Sequence, residues 1–199
     1  MSDIEAARPV FSTIRKGNAR GSGYKRNADD WYVEPRKAVF ALFTAERMWG
    51  SVWDPACGSG NIPKLADEWG YTAIASDLKD RGYGETGVDF LSTGLERQAD
   101  HIVCNPPYHL ADLFAEHAYL YGARHKVAML VRLAWLEGES RFQKIFNALP
   151  PARVLVFRNR ISCPPGGFEM PAKGGAVAYC WVVWDHGHRG PTQLDWIRA

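Results

Sequence analysis

The chain has 199 residues, 46% hydrophobic and 23% charged, with a formal net charge of +2. That is room for one substantial core rather than two, and it excludes a disordered or fibrous protein. No apolar run is long enough to cross a bilayer and no signal-peptide pattern is evident, so a cytoplasmic protein with no membrane partner is expected.

Residues 1–28 carry Arg8, Arg15, Lys16, Arg20, Lys25 and Arg26 against only Asp3 and Glu5, in a stretch rich in Gly, Ser and Asn. This reads as a flexible basic arm ahead of a single domain over 29–199; such arms solubilise a protein or track phosphate backbones. Pro35 then fits the first turn of a helix whose apolar positions, Val39, Phe40, Leu42, Phe43 and Met48, run until Gly50. Strands are predicted at Ser51–Pro55, Thr72–Asp77, about Gly87–Phe90, His101–Asn105, Lys126–Val131, Arg153–Phe157 and Ala176–Trp184. Helices are predicted at Asn61–Trp69, Leu110–Tyr121 and Glu137–Ala148. The alternation implies a doubly wound α/β sheet, mostly parallel and covered on both faces, with its last two strands antiparallel and joined by the long loop Arg158–Gly175. Ligands of such sheets bind where the strands end. Cys57, Cys104, Cys163 and Cys180 form no CxxC pair, and the pair His186 and His188 reads as an exposed turn, so no metal is expected.

Two strand ends carry candidate chemistry. The first strand runs into Asp54-Pro55-Ala56-Cys57-Gly58-Ser59-Gly60, where the glycines allow a tight turn and close approach to a ligand. On its own this is an ordinary strand-to-helix turn, but Asp54 opens it and Asp77 ends the next strand. A phosphate site would want positive charge here. A carboxylate at Asp54 suits an ammonium, and Asp77 is placed to accept from ribose hydroxyls, which together favour S-adenosylmethionine. Asp89 and Phe90 would add an acceptor for the adenine amine and a ring against the purine, or simply be a strand end with a core Phe. The second site is Asn105-Pro106-Pro107-Tyr108. It could be a proline turn that stops a strand, yet stopping a strand does not need the flanking Asn105 and Tyr108. The Asn105 side-chain oxygen and the Pro106 carbonyl make two acceptors for one NH₂ group, which would free the lone pair of a conjugated amine for attack on a methyl group. Tyr108 offers a stacking face.

In this order, Asp54–Gly60 and Asn105–Tyr108 resemble the motifs of the amino-methylating class of nucleic-acid methyltransferases, over about residues 29–186. The resemblance implies the seven-stranded methyltransferase variant of the Rossmann-like sheet with an antiparallel last strand, and S-adenosylmethionine as cofactor. The segment Asp30–Pro35 looks like the family's cofactor-binding segment, which implies Trp31, Tyr32 and Pro35 near the methionine end, beside Asp54, Ala56, Gly58, Gly60, Asp77, Asp89 and Phe90. The segments 130–138 and 178–187 are similar to small phage-type adenine methyltransferases, which implies N6 of adenine in DNA as the acceptor. Many members carry an aromatic residue where this chain has Ala56, and no separate target-recognition domain follows the core. Target reading then falls to the basic arm and to Arg158, Arg160 and Lys173 of the long loop, unless that loop is a disordered hairpin tip. Arg132 and Trp135, past the fifth strand, would touch phosphate or base, or pack locally. Alternatives are an adenine or guanine amine in RNA, a protein glutamine amide, and a cofactor-binding module without catalysis. The last has no use for Asn105 and Tyr108, and residues 1–28 cannot form the helical domain usual in the glutamine enzymes.

Overall fold

The computed structural model describes residues 30–166 and 177–199. The basic arm and Lys173 lie outside the described residues, as does the loop tip from Gly167. Eight strands form one sheet: β1 Ser51–Asp54, β2 Thr72–Asp77, β3 Glu85–Thr86, β4 Ala99–Cys104, β5 Ala123–Arg132, β6 Arg153–Phe157, β7 Tyr179–Asp185 and β8 Gln193–Ile197. Their order is β3-β2-β1-β4-β5-β7-β6-β8. Strand β7 is inserted antiparallel between β5 and β6, as the helix-free connection between the final two predicted strands requires.

Three expectations need correction. The sheet has eight strands rather than seven, and the chain's last strand, β8, pairs parallel to β6, leaving β7 as the antiparallel member. Residues 87–90 do not form a strand. Gly87 sits at φ +78°, and the Asp89 carboxylate accepts the Leu91 N–H at 3.2 Å and the Ser92 hydroxyl at 2.7 Å, which starts a 3₁₀ turn over Phe90–Ser92 instead. His186 stands in the turn after β7 as expected, but it is half-buried rather than exposed, its ring stacking on Tyr119 with centroids 4.1 Å apart.

Both faces of the sheet are covered, because alternate residues of the central strands project to opposite sides. Val103, Ala128, Leu130, Leu155, Trp181 and Val183 face the helices α1 (Arg36–Ala45) and α2 (Asn61–Glu68) through Val39, Leu42, Ile62 and Leu65. The Trp181 indole donates to the Ala38 carbonyl at 3.0 Å, which ties α1 to the sheet without leaving a buried donor unpaired. Ile102, Cys104, Val127, Met129, Val182 and Trp184 face the other layer, which includes α3 (Ala111–His117) and the π-helical turn Phe142–Phe146. Burial of each large apolar side chain contributes about 1.5–3 kcal/mol.

The order reverses between β1 and β4: the chain runs outward through β2 and β3, then returns to start again at β4. At such a reversal the turns leaving the two strands diverge and open a crevice. Asp54 ends β1 and Asn105 follows β4, so both predicted motifs border the same crevice.

Candidate functional site

The crevice is a cleft partly open to solvent. Its floor and walls include Trp31, Tyr32, Glu34, Ala56, Gly58, Asp77, Asp89, Phe90, Asn105 and Pro107. Eight residues named from five separate stretches of the sequence line this one hollow. Pro35, Asp54, Gly60 and Pro106 do not line it. Pro35 caps α1, Pro106 is buried with Pro107 at the surface of the cleft instead, and Gly60 starts α2 at φ +85° beneath the Tyr83 ring.

The glycine-rich turn is held by Asp77, whose Oδ2 accepts the Gly58 N–H at 2.9 Å and whose Oδ1 accepts the Lys79 N–H at 2.9 Å. Each oxygen keeps a further lone pair for a ligand. Gly58 adopts φ +51°, and a Cβ there would fall 2.7 Å from Trp31 Nε1, so glycine is required both by the turn and by the approach of the indole. Trp31 is fixed in turn by backbone pairing with the long loop: the Gly166 N–H donates to its carbonyl at 3.0 Å and the Val33 N–H to the Pro164 carbonyl at 2.8 Å. The Arg81 guanidinium lies 4.3 Å from its ring centroid.

Beneath the cleft lies a set of carboxylates. Asp54 is 1% exposed, and its Oδ1 accepts the Ala56 N–H at 3.1 Å. Glu34, 7% exposed, lies in the Asp30–Pro35 segment, where nothing local in the sequence marks it. Burial pushes its carboxyl up from 4.5 to about 7, against the pull of its own backbone and of Asn105. Burial, and then repulsion by Glu34, raises Asp54 well above the usual carboxylate range, with Asp77 adding to the effect. Among the described residues neither Glu34 nor Asp54 has a lysine or arginine partner.

Asn105 bridges this set to the fourth strand. Its Nδ2 donates to the Tyr32 carbonyl at 2.8 Å and to Glu34 Oε2 at 3.1 Å. Two acceptors for two hydrogens fix which way the amide faces. Its Oδ1 is buried and has no donor among the described residues. An unpaired buried acceptor costs about 1–3 kcal/mol, so the chain sustains a deficit at this atom.

Tyr108 belongs to a second hollow that shares Asp30 and Tyr32 with the first and adds His109, Arg132, Trp135 and Arg141. Its ring is already contacted. Tyr32 stacks on it with centroids 5.4 Å apart and planes at 25°, and the Arg132 guanidinium lies 4.5 Å from its centroid. Its hydroxyl donates to Tyr179 Oη at 3.3 Å. Asp30 joins the hollows by accepting the His109 N–H at 3.0 Å, in a backbone conformation of positive φ. Trp135 is largely a core residue: its indole donates to Asp112 at 2.8 Å and its ring packs on Phe146 and Trp184. Phe90 is likewise a core ring, against Trp53 and Phe114, with one side on the cleft. Arg158 and Arg160 are exposed and line neither hollow.

No family model and no curated protein matches the chain. Solved structures do. A protein named as an RNA methyltransferase, PH1948 from Pyrococcus horikoshii, is 13% identical over 75% of this chain and 81% of its own, with a TM-score of 0.53. The 1,6-didemethyltoxoflavin-N1-methyltransferase of Burkholderia thailandensis, holding 1,6-didemethyltoxoflavin and S-adenosylhomocysteine, is 12% identical over 75% of this chain and 76% of its own, with a TM-score of 0.53. A structure from work on conversion of a disulfide bond into a thioacetal group during echinomycin biosynthesis is 14% identical over 77% and 82%, with a TM-score of 0.54. The chain has the Rossmann-like methyltransferase fold. Among the described residues no helix is long and apolar enough to cross a membrane.

Proposed function

We propose that this chain transfers a methyl group from S-adenosylmethionine to the exocyclic N6 amine of adenine in DNA. The observation that carries the reading is the Asn105 amide: both hydrogens are taken by the protein, and its buried oxygen has no donor among the described residues, on a residue that lines the cleft. Such an oxygen is suited to accept one hydrogen of an incoming NH₂ group.

The residues around the cleft fit the cofactor. Three carboxylates, two of them buried and raised, disfavour a phosphate and favour a ligand with a cationic tail. Asp77 retains lone pairs for ribose hydroxyls, Trp31 and Tyr32 wall the cleft, and Asp89 and Phe90 border it on the far side. Bound S-adenosylmethionine supplies a methyl group on positively charged sulfur. Asn105 Oδ1 and the Pro106 carbonyl accept the two hydrogens of the acceptor amine, which favours a tetrahedral nitrogen and exposes its lone pair. A planar base takes Arg132's place over Tyr108 in the neighbouring hollow, and the displaced guanidinium is then available to a phosphate. In duplex DNA the base must leave the stack to get there.

The same clamp serves an adenine or guanine amine in RNA, and one fold neighbour bears an RNA methyltransferase's name. Expressing the chain, then digesting cellular DNA and RNA separately to nucleosides, distinguishes them by mass. N6-methyladenine rising in DNA is the expected result. A methylated base confined to RNA would overturn the choice of polymer, and no methylated base in either would overturn the reading.

A further inference from the structure

We propose that Glu34 is the positioning residue of the acceptor clamp: its carboxylate takes one Asn105 amide hydrogen while the Tyr32 carbonyl takes the other, which leaves the Asn105 oxygen as the acceptor on the cleft side. The proposal rests on the acceptor role assigned to Asn105 above and names the group that makes it possible.

A primary amide has two faces of opposite hydrogen-bonding sense, and rotating it by half a turn exchanges them. An asparagine that must always offer its oxygen therefore needs something that rejects the rotated form. The Tyr32 carbonyl, 2.8 Å from Nδ2, does so in part, because the rotated amide would set oxygen against oxygen. Glu34 Oε2, 3.1 Å away, does so more strongly while it is ionised, because the rotated amide would then face a full negative charge. A charged acceptor also polarises the amide and puts more negative charge on Oδ1, where the amine hydrogen is to be held. Glu34 is well placed to act this way because little else competes for it. The Asn61 side chain donates to its backbone carbonyl rather than to its carboxylate.

The effect depends on the charge of Glu34. The titratable groups that act with it are Asp54 at the end of β1, Cys57 in the glycine-rich turn, Cys104 at the end of β4 and Cys163 on the loop after β6, with Asp77 one step further through Asp54. No lysine or arginine among the described residues offsets them at Glu34. Burial holds its carboxyl near 7, within the working range of a cell. Below that point the neutral acid accepts weakly and its own hydrogen can pair with the oxygen of a rotated Asn105. Above it the acceptor form is enforced. A cationic ligand in the cleft favours ionised Glu34 and so sets the clamp when it binds.

The side-chain NH₂ signals of Asn105, identified by their loss in Asn105→Ala, read this directly in the ligand-free protein. They should shift with pH about a midpoint near 7 in the wild type and stay still over that range in Glu34→Gln. S-adenosylmethionine should move the wild-type midpoint to lower pH. In turnover, Glu34→Ala should lower kcat by about tenfold or more, because the acceptor is no longer held in place. Glu34→Gln, whose carbonyl can accept the same hydrogen, should stay within about threefold at high pH. Asn105 signals that ignore pH from 6 to 8, or a Glu34→Ala variant with wild-type kcat, would overturn the proposal. A normal Asn105 titration in a chain that methylates neither DNA nor RNA would support the positioning role and count against the proposed reaction.

Discussion

The two ends of the sheet bury carboxylates to the same depth and treat them differently. At the amino end Glu46 is 3% exposed, and it meets Lys126 Nζ at 2.8 Å and Arg153 Nη1 at 2.6 Å. Those cations reach further carboxylates, Lys126 to Asp185 at 3.5 Å and Arg153 to Asp195 at 2.7 Å, so each charge of the network meets an opposite charge within the protein. At the carboxyl end Glu34 and Asp54 are 7% and 1% exposed, and among the described residues they have no such cation and the oxygen of Asn105, whose amide bonds Glu34, has no donor. Leaving a buried charge uncompensated costs several kcal/mol, and the amino end shows that this fold can accommodate the compensating side chains. On the proposed reading, the difference separates structural charge from charge that the cofactor completes.

The largest test removes the paired side. Glu46→Ala should destabilise the chain by about 3–5 kcal/mol, because Lys126 and Arg153 lose a buried partner, while leaving affinity for S-adenosylmethionine unchanged. Denaturant unfolding and calorimetry measure both. A cost below about 1 kcal/mol would remove the contrast between the ends.

Next comes the unpaired side, which should behave in the opposite sense. The Glu34 carboxyl is raised from 4.5 to about 7, so the folded chain holds this proton more tightly than the unfolded one. Its contribution to stability is full below about pH 4.5 and lost as pH rises through about 7, a swing of about 3 kcal/mol. Asp54 shifts in the same direction. Ligand-free wild type should therefore be less stable near pH 8 than the same chain carrying Glu34→Gln, and the gap should close towards pH 5. Equal stability of the two near pH 8 would mean that Glu34 is compensated after all.

Asn105→Ala follows, with an expected loss of about 100-fold in kcat and little change in cofactor affinity, because the proposed role of its oxygen is to hold the amine. Transfer at near the wild-type rate would break the link between the open end and the reaction.

The sequence made the glycine-rich turn and the Asn105–Tyr108 segment legible because each is contiguous and each ends a strand of plain apolar character, Val52-Trp53 and Ile102-Val103-Cys104. What it hid depends on distance along the chain. Glu34 acquires its meaning from Asn105, 71 residues away, and an acidic residue before a proline carries no local sign of burial. Strand β8 was missed because Gln193–Ile197 is a short, mostly exposed edge whose alternating apolar members, Leu194 and Trp196, face solvent rather than the core. The 87–90 segment misled because Val88 and Phe90 alternate as in a strand, while the Asp89 carboxylate, close enough to bond two residues ahead, turned the chain instead. Tyr108 was legible as an aromatic beside the clamp, but its occupation by Arg132 needed the fold.

The smallest expected effect concerns Asp77, and it also separates the two kinds of charge within one residue. Asp77 already works for the protein, since Gly58 and Lys79 donate to it at 2.9 Å each. The proposed ribose contact would use its remaining lone pairs. Asp77→Ala should weaken S-adenosylmethionine binding by about 1–3 kcal/mol, but that loss alone does not tell a missing ligand contact from a loosened glycine turn. A cofactor analogue lacking the ribose 2′-hydroxyl resolves it in a double-mutant cycle. If Asp77 holds the ribose, wild type should bind the analogue more weakly than the natural cofactor, and the Ala variant should bind the two about equally. If Asp77 only braces the turn, the substitution should weaken both ligands by the same factor, the coupling energy should vanish, and Asp77 would move to the closed, structural side of the comparison with Glu46.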